Sequence, residues 1–174
     1  MPASLMIAAL ALAACGESSE DRAATASAEA PAPAMTGNPA PATVPAGKTL
    51  AAGDWSVGED ATGVAATFAE AGSQPQLTVR CDRAARQIAI EKPGALQPGE
   101  EYSIIAGGER FILPMQSTTN ALPTMSAQVH PQQPILASIA LPGTSFILLG
   151  PGMTETVLPA APGIRRVIDT CLNS

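Results

Sequence analysis

The chain predicts a mainly β domain, an antiparallel sandwich or small barrel carrying one or two short helices, with an α+β arrangement as the alternative. Three observations carry this expectation. Short runs alternate apolar and polar residues at the period of a half-buried strand; Gly, Pro and polar residues separate them; and Gly107-Gly108 stands between two apolar runs, supplying the positive φ that a tight hairpin requires. In chain order, Asp54-Trp55-Ser56-Val57 and Gly63 to Phe68 make a first pair. The run Gln76 to Asp82 sets Leu77, Val79 and Cys81 on one face and Thr78, Arg80 and Asp82 on the other, which turns Cys81 inward. A polar turn at 83–86 joins it to Gln87-Ile88-Ala89-Ile90-Glu91. Tyr102 to Ala106 and Glu109 to Leu113 flank the paired glycines as a second hairpin, and Thr144 to Leu149 and Glu155 to Leu158 supply late strands. Pro134 suits the first turn of a short helix to Ala140 that groups Ile135, Leu136 and Ile139. After Pro162, the residues Ile164, Val167, Ile168 and Cys171 recur at i, i+3, i+4 and i+7, the apolar stripe of a C-terminal helix with Arg165, Arg166 and Asp169 outside it.

Ahead of these elements the chain changes character. Leu5 to Ala14 is apolar without interruption, about half the ~20 residues that a membrane span needs. Small residues precede a cysteine in Leu12-Ala13-Ala14-Cys15-Gly16. This pattern resembles the signal of bacterial lipoproteins. The resemblance implies a signal peptide over residues 1–14, diacylation of the Cys15 thiol, cleavage before it, and acylation of the new amino terminus. Several acyl chains at about 0.8 kcal/mol per buried CH₂ make a permanent anchor. Gly16, where such families place Asp to stay at the inner membrane, directs the expectation to the outer membrane, facing the periplasm. Residues 15–47 are then a lipidated tether: Ala, Pro, Ser, Thr and Gly dominate, as in Ala30-Pro31-Ala32-Pro33-Ala34, and such side chains do not repay the entropy of ordering a backbone. Fully extended, about 30 residues reach roughly 100 Å. Residues 48–174 remain as one domain's worth of chain.

Cysteine usage follows from the anchor. With Cys15 taken by lipid, Cys81 and Cys171 are an even pair in an oxidising compartment, and a structural disulfide between them is expected. Charge narrows the partners. The chain holds 9 Lys and Arg against 15 Asp and Glu, a net charge of −6, which excludes nucleic acid because phosphate binding needs concentrated cations. No cofactor or metal is expected: the single histidine, His130, has no acid at helical spacing, and Gly150-Pro151-Gly152 lacks the lysine of a phosphate cradle. Gly143-Thr144-Ser145-Phe146 shares only its glycine with a serine-nucleophile elbow. Four residues are candidates for surface binding: Arg80, Arg83 and Arg86 as an anion-receiving patch, and Trp55, for which a core position is the competing reading.

Trp55, the segment Leu77-Thr78-Val79-Arg80-Cys81-Asp82-Arg83 and the closing Arg166-Val167-Ile168-Asp169-Thr170-Cys171 together resemble a group of small alphaproteobacterial envelope lipoproteins. The likeness covers roughly residues 50 to 172 and implies location rather than activity. More loosely, an anchor, a spacer and a clamped β domain resemble the lysozyme-inhibitor lipoproteins, although their Ser-x-Gly-x-x-Tyr loop is missing here. The expected function is a non-enzymatic binding or accessory module of the periplasm, acting on a protein or wall component, with inhibition of an envelope-directed hydrolase as one form. Two alternatives stand beside it: a hydrolase using Glu100, Glu101 or Asp82, and a structural or assembly factor of the envelope.

Overall fold

A computed structural model describes residues 42–60, 63–118 and 122–174. The apolar run Leu5 to Ala14, Cys15 and most of the expected tether lie outside them. Ten strands and two α-helices follow in order: β1 (Asp54–Asp60), β2 (Gly63–Ala69), β3 (Leu77–Asp82), β4 (Gln87–Pro93), β5 (Tyr102–Ala106), β6 (Glu109–Leu113), β7 (Gln116–Thr118), β8 (Thr124–Val129), α1 (Pro134–Ile139), β9 (Ser145–Leu149), β10 (Glu155–Pro159) and α2 (Pro162–Leu172). They form two sheets whose strand pairs are all antiparallel, ordered β1-β2-β3-β4-β8-β7 and β10-β9-β5-β6. The fold is mainly β, and neither sheet closes into a barrel.

Local sequence accounts for the hairpins. Gly107 and Gly108 hold φ of 58° and 83°, the left-handed pair that a two-residue turn between β5 and β6 requires. In the turn from β3 to β4, the Asp82 carboxylate accepts the Ala85 N–H at 3.0 Å, and Arg86 takes a left-handed φ of 53°; an Asx-type bond of this kind stabilises a short polar loop. Longer-range pairing is set by burial. Ile88 and Ile90 of β4 face the same side as Val129 and Ala127 of β8, and all four are buried.

Alternation sorts the first sheet into two faces. Val64, Ala66 and Phe68, Leu77, Val79 and Cys81, and Ile88 and Ile90 share the inner one. Against it lie the inner residues of the second sheet, Ile104, Phe146, Leu148 and Leu158, and the stripe Ile164, Val167, Ile168 and Cys171 of α2, in one buried cluster. At the start of α2, a side-chain carbon added to Gly163 would meet a Val57 methyl at 2.5 Å, so glycine admits the close approach of helix to sheet. Chain docked on the second sheet begins before Lys48: the Thr43 N–H donates to Gly143 O at 2.9 Å, the Ser145 hydroxyl donates to Thr43 O at 2.7 Å, and Leu50 makes a parallel bridge with Val157 of β10.

Candidate functional site

Cys81, near the end of β3, and Cys171, in the last turn of α2, are joined as a disulfide with their Cα atoms 5.3 Å apart. The bond holds the turn at 83–86 beside the helix. Glu59 of β1 lies on the same side of the first sheet as α2, because its partner Val64 faces the core. Its two carboxylate oxygens face different arginines: Arg83 Nη2 is 2.5 Å from Oε1, and Arg166 Nη2 is 3.8 Å from Oε2. Along the helix, Arg165 pairs with Asp169 one turn on, at 3.2 Å. Arg83, Arg165, Arg166 and Asp169 line an open groove of about 750 Å³ that runs along the exposed side of α2 from Pro162 toward Ser174, and Glu59 pairs with two of these arginines.

The groove is cationic on an acidic chain. Arg83, Arg165 and Arg166 outnumber Asp169 among its side chains, even when Glu59, the partner of two of them, is counted, whereas the whole chain carries −6. Its ion pairs are solvent-exposed, and such pairs hold together by only ~0.2–1 kcal/mol. An incoming carboxylate therefore exchanges with Glu59 or Asp169 at low cost, and a guanidinium offers it two parallel N–H donors.

The sequence-predicted residues divide among several places. Arg83 is in the groove. Arg80 points from the opposite face of the first sheet, its Nε 3.9 Å from Glu91 Oε2, and Arg86 is exposed in the turn. Trp55 is half-buried with its ring centroid 5.4 Å from that of Phe68, and its indole N–H donates to Pro159 O of β10 at 2.7 Å. That bond ties the first strand of one sheet to the last strand of the other. Among the acids, Asp82 caps its own turn, Glu100 accepts the Gln97 N–H at 2.9 Å, and Glu101 pairs with Arg110 at 2.9 Å. His130 accepts the Gln132 N–H at its Nδ1, and among the described residues no three of His, Cys, Asp and Glu gather as a metal site. Arg165, Arg166 and Glu59 were not singled out by the sequence reading. Two consecutive arginines on the polar side of an amphipathic helix that ends in an expected disulfide were the signal present.

Glu91 responds to its surroundings in a measurable way. Burial on the sheet face pushes its carboxyl above the ordinary 4.5, with Arg80 pulling it the other way. A raised folded-state value means that the ionised form is less favourable in the fold than in the unfolded chain. The stability it contributes is present below about pH 4.5 and is lost as pH rises through the folded value. Glu91→Gln removes this dependence. Its thermal midpoint relative to wild type is expected to shift in the variant's favour as pH rises above about 4.5; a difference that does not change with pH would contradict the assignment.

The fold and groove together define a small two-sheet antiparallel domain with a clamped helix and a cationic surface groove. No family model, no curated protein and no solved structure matches the chain. Among the described residues, no helix is long and apolar enough to cross a membrane.

Proposed function

We propose that the chain is a lipid-anchored binding module of the bacterial envelope, held to the membrane at Cys15, whose groove beside α2 receives an acidic group of a periplasmic protein or wall component. The observation that carries this reading is the convergence of Arg83 and Arg166 on the single carboxylate of Glu59, with the Cys81–Cys171 bond fastening the two elements that bear them. A long-range disulfide also suits an oxidising compartment. The chemistry of the groove is recognition: guanidinium groups supply fixed donors and positive charge, and their present partners are weakly held.

Crosslinking in intact cells tests it. A photoreactive residue placed at Asn173, exposed in the groove, is expected to capture one specific species. Charge reversal of Arg83 and Arg166 to Glu is expected to reduce that product at least tenfold. It should leave thermal stability within about 1 kcal/mol of wild type, since the groups are exposed. Capture at the same level from Gln128, on the far face of the first sheet, or undiminished capture by the charge-reversed chain would overturn the proposal.

A further inference from the structure

β6 is a margin of the second sheet, paired only with β5 among the described residues. The two-residue turn at Gly107-Gly108 makes Ala106 and Glu109 the hydrogen-bonded pair that closes the hairpin. Hydrogen-bonded and non-hydrogen-bonded pairs alternate along an antiparallel ladder. Glu109, Phe111 and Leu113 therefore turn their N–H and C=O groups toward β5, while Arg110 and Ile112 turn theirs out of the sheet. Phe111 and Leu113 pack on the core, which sets the side chains of Arg110 and Ile112 on the outer face. Both are exposed, Ile112 to 55%.

The other three margins are covered or guarded. Along β10, the Ala51 N–H donates to Val157 O at 2.8 Å and Lys48 pairs with Glu155. β7 is three residues long, and its Ser117 hydroxyl accepts the Leu96 N–H at 3.2 Å. β1 carries Asp54, Glu59 and Asp60, and charges along an edge deter pairing with other chains. β6 lacks such a guard. Of its charges, Glu109 sits beside the turn, and Arg110 is drawn back over β5: its Nε donates to the Ser103 hydroxyl at 3.0 Å and its Nη2 to Glu101 Oε1 at 2.9 Å. Outward-facing backbone groups and an exposed isoleucine are left at the edge.

From this arrangement we infer that β6 receives an extended peptide segment of another protein as an added antiparallel strand of the second sheet. The segment carries an aliphatic side chain opposite Ile112 and, two residues further on, a carboxylate opposite Arg110. Main-chain hydrogen bonds supply the affinity of such strand addition, and alternate side chains supply the selection. Side chains directly opposite each other across a ladder are in contact, which seats the aliphatic residue against Ile112. Arg110 commits only part of its fork of N–H donors to Ser103 and Glu101, so a further carboxylate is received without breaking either bond, whereas a lysine there would meet like charge. The edge shares no residue with the arginine groove and does not depend on what that groove binds.

NMR titration of the full chain with the peptide acetyl-Thr-Thr-Val-Thr-Glu-Thr-Thr-amide tests the inference. Binding is expected to be saturable, and at saturation amide exchange at Arg110 and Ile112 should slow by about fivefold or more while exchange along β1 is unchanged. Lysine in place of the peptide's glutamate should weaken binding roughly threefold to fivefold, the scale of one exposed ion pair. N-methylation of the peptide's valine and glutamate removes the donors that meet the edge and should abolish binding. These controls leave the chain itself unaltered, so none depends on whether a variant folds. Absence of saturable binding, unchanged exchange at the two amides, or equal binding of the lysine or N-methylated peptide would overturn it. So would protection of the same two amides by concentration-dependent dimerisation without peptide, which would give the edge to a second copy of this chain.

Discussion

Removal of the Cys81–Cys171 bond, by reduction or by replacing both cysteines with alanine, is expected to cost about 3–5 kcal/mol of folding stability. The two residues are 90 apart in sequence, and closing so long a loop in the unfolded chain removes much of its entropy. The native state loses as well. The bond fastens α2, whose Ile164, Val167 and Ile168 complete the core over β2 and β3. Denaturant titrations with and without reductant are the check. An unchanged midpoint would mean that packing alone holds the helix. A functional corollary follows, because the groove has one side on α2 and the other at Arg83 in the turn at 83–86: the reduced chain should lose the crosslink at Asn173 while it still folds.

Phe68→Ala is expected to have an effect of the same size, about 3–5 kcal/mol. Phe68 is fully buried on the inner face of β2 and packs against the Trp55 ring, so truncation leaves a cavity where the indole is seated. For a protein of ordinary stability, ~5–15 kcal/mol in total, such a loss is a large fraction of what holds the fold together. Trp55→Phe makes the companion measurement. It keeps the ring contact and removes the hydrogen bond to Pro159, leaving a part-buried carbonyl without that donor, at an expected cost of about 1 kcal/mol. A Trp55→Phe chain as stable as wild type would contradict the role of Trp55 as a tie between the sheets.

Local signals in the sequence were strong where alternation and turn chemistry agreed. The strand carrying Cys81, the hairpin at Gly107-Gly108 and the stripe of α2 all fell where periodicity placed them. The pair β7 and β8 was not anticipated. Its inward residues Met125, Ala127 and Val129 do alternate with Ser126 and Gln128, but Ala, Ser and Gln carry little strand preference of their own. Burial against β4 supplies what the local sequence lacks. Pairings such as β5 with β9 join segments about forty residues apart, and nothing local announces them.

The candidate sites follow the same division. Arg83 was visible in its turn, whereas Arg165 and Arg166 read as ordinary exposed charges until the fold brings them to one groove with Arg83, and Glu59 until it pairs with Arg83 and Arg166.

Export is the central proposal, since it would entail both anchoring at Cys15 and oxidation of the other two cysteines. Intact-mass analysis of the mature chain from its native cells, with and without thiol alkylation, tests that claim most directly. The predicted product begins at Cys15, carries acyl groups there, and takes up no alkylating reagent unless it is first reduced. A product that retains Met1, bears no lipid and alkylates at all three cysteines would contradict it.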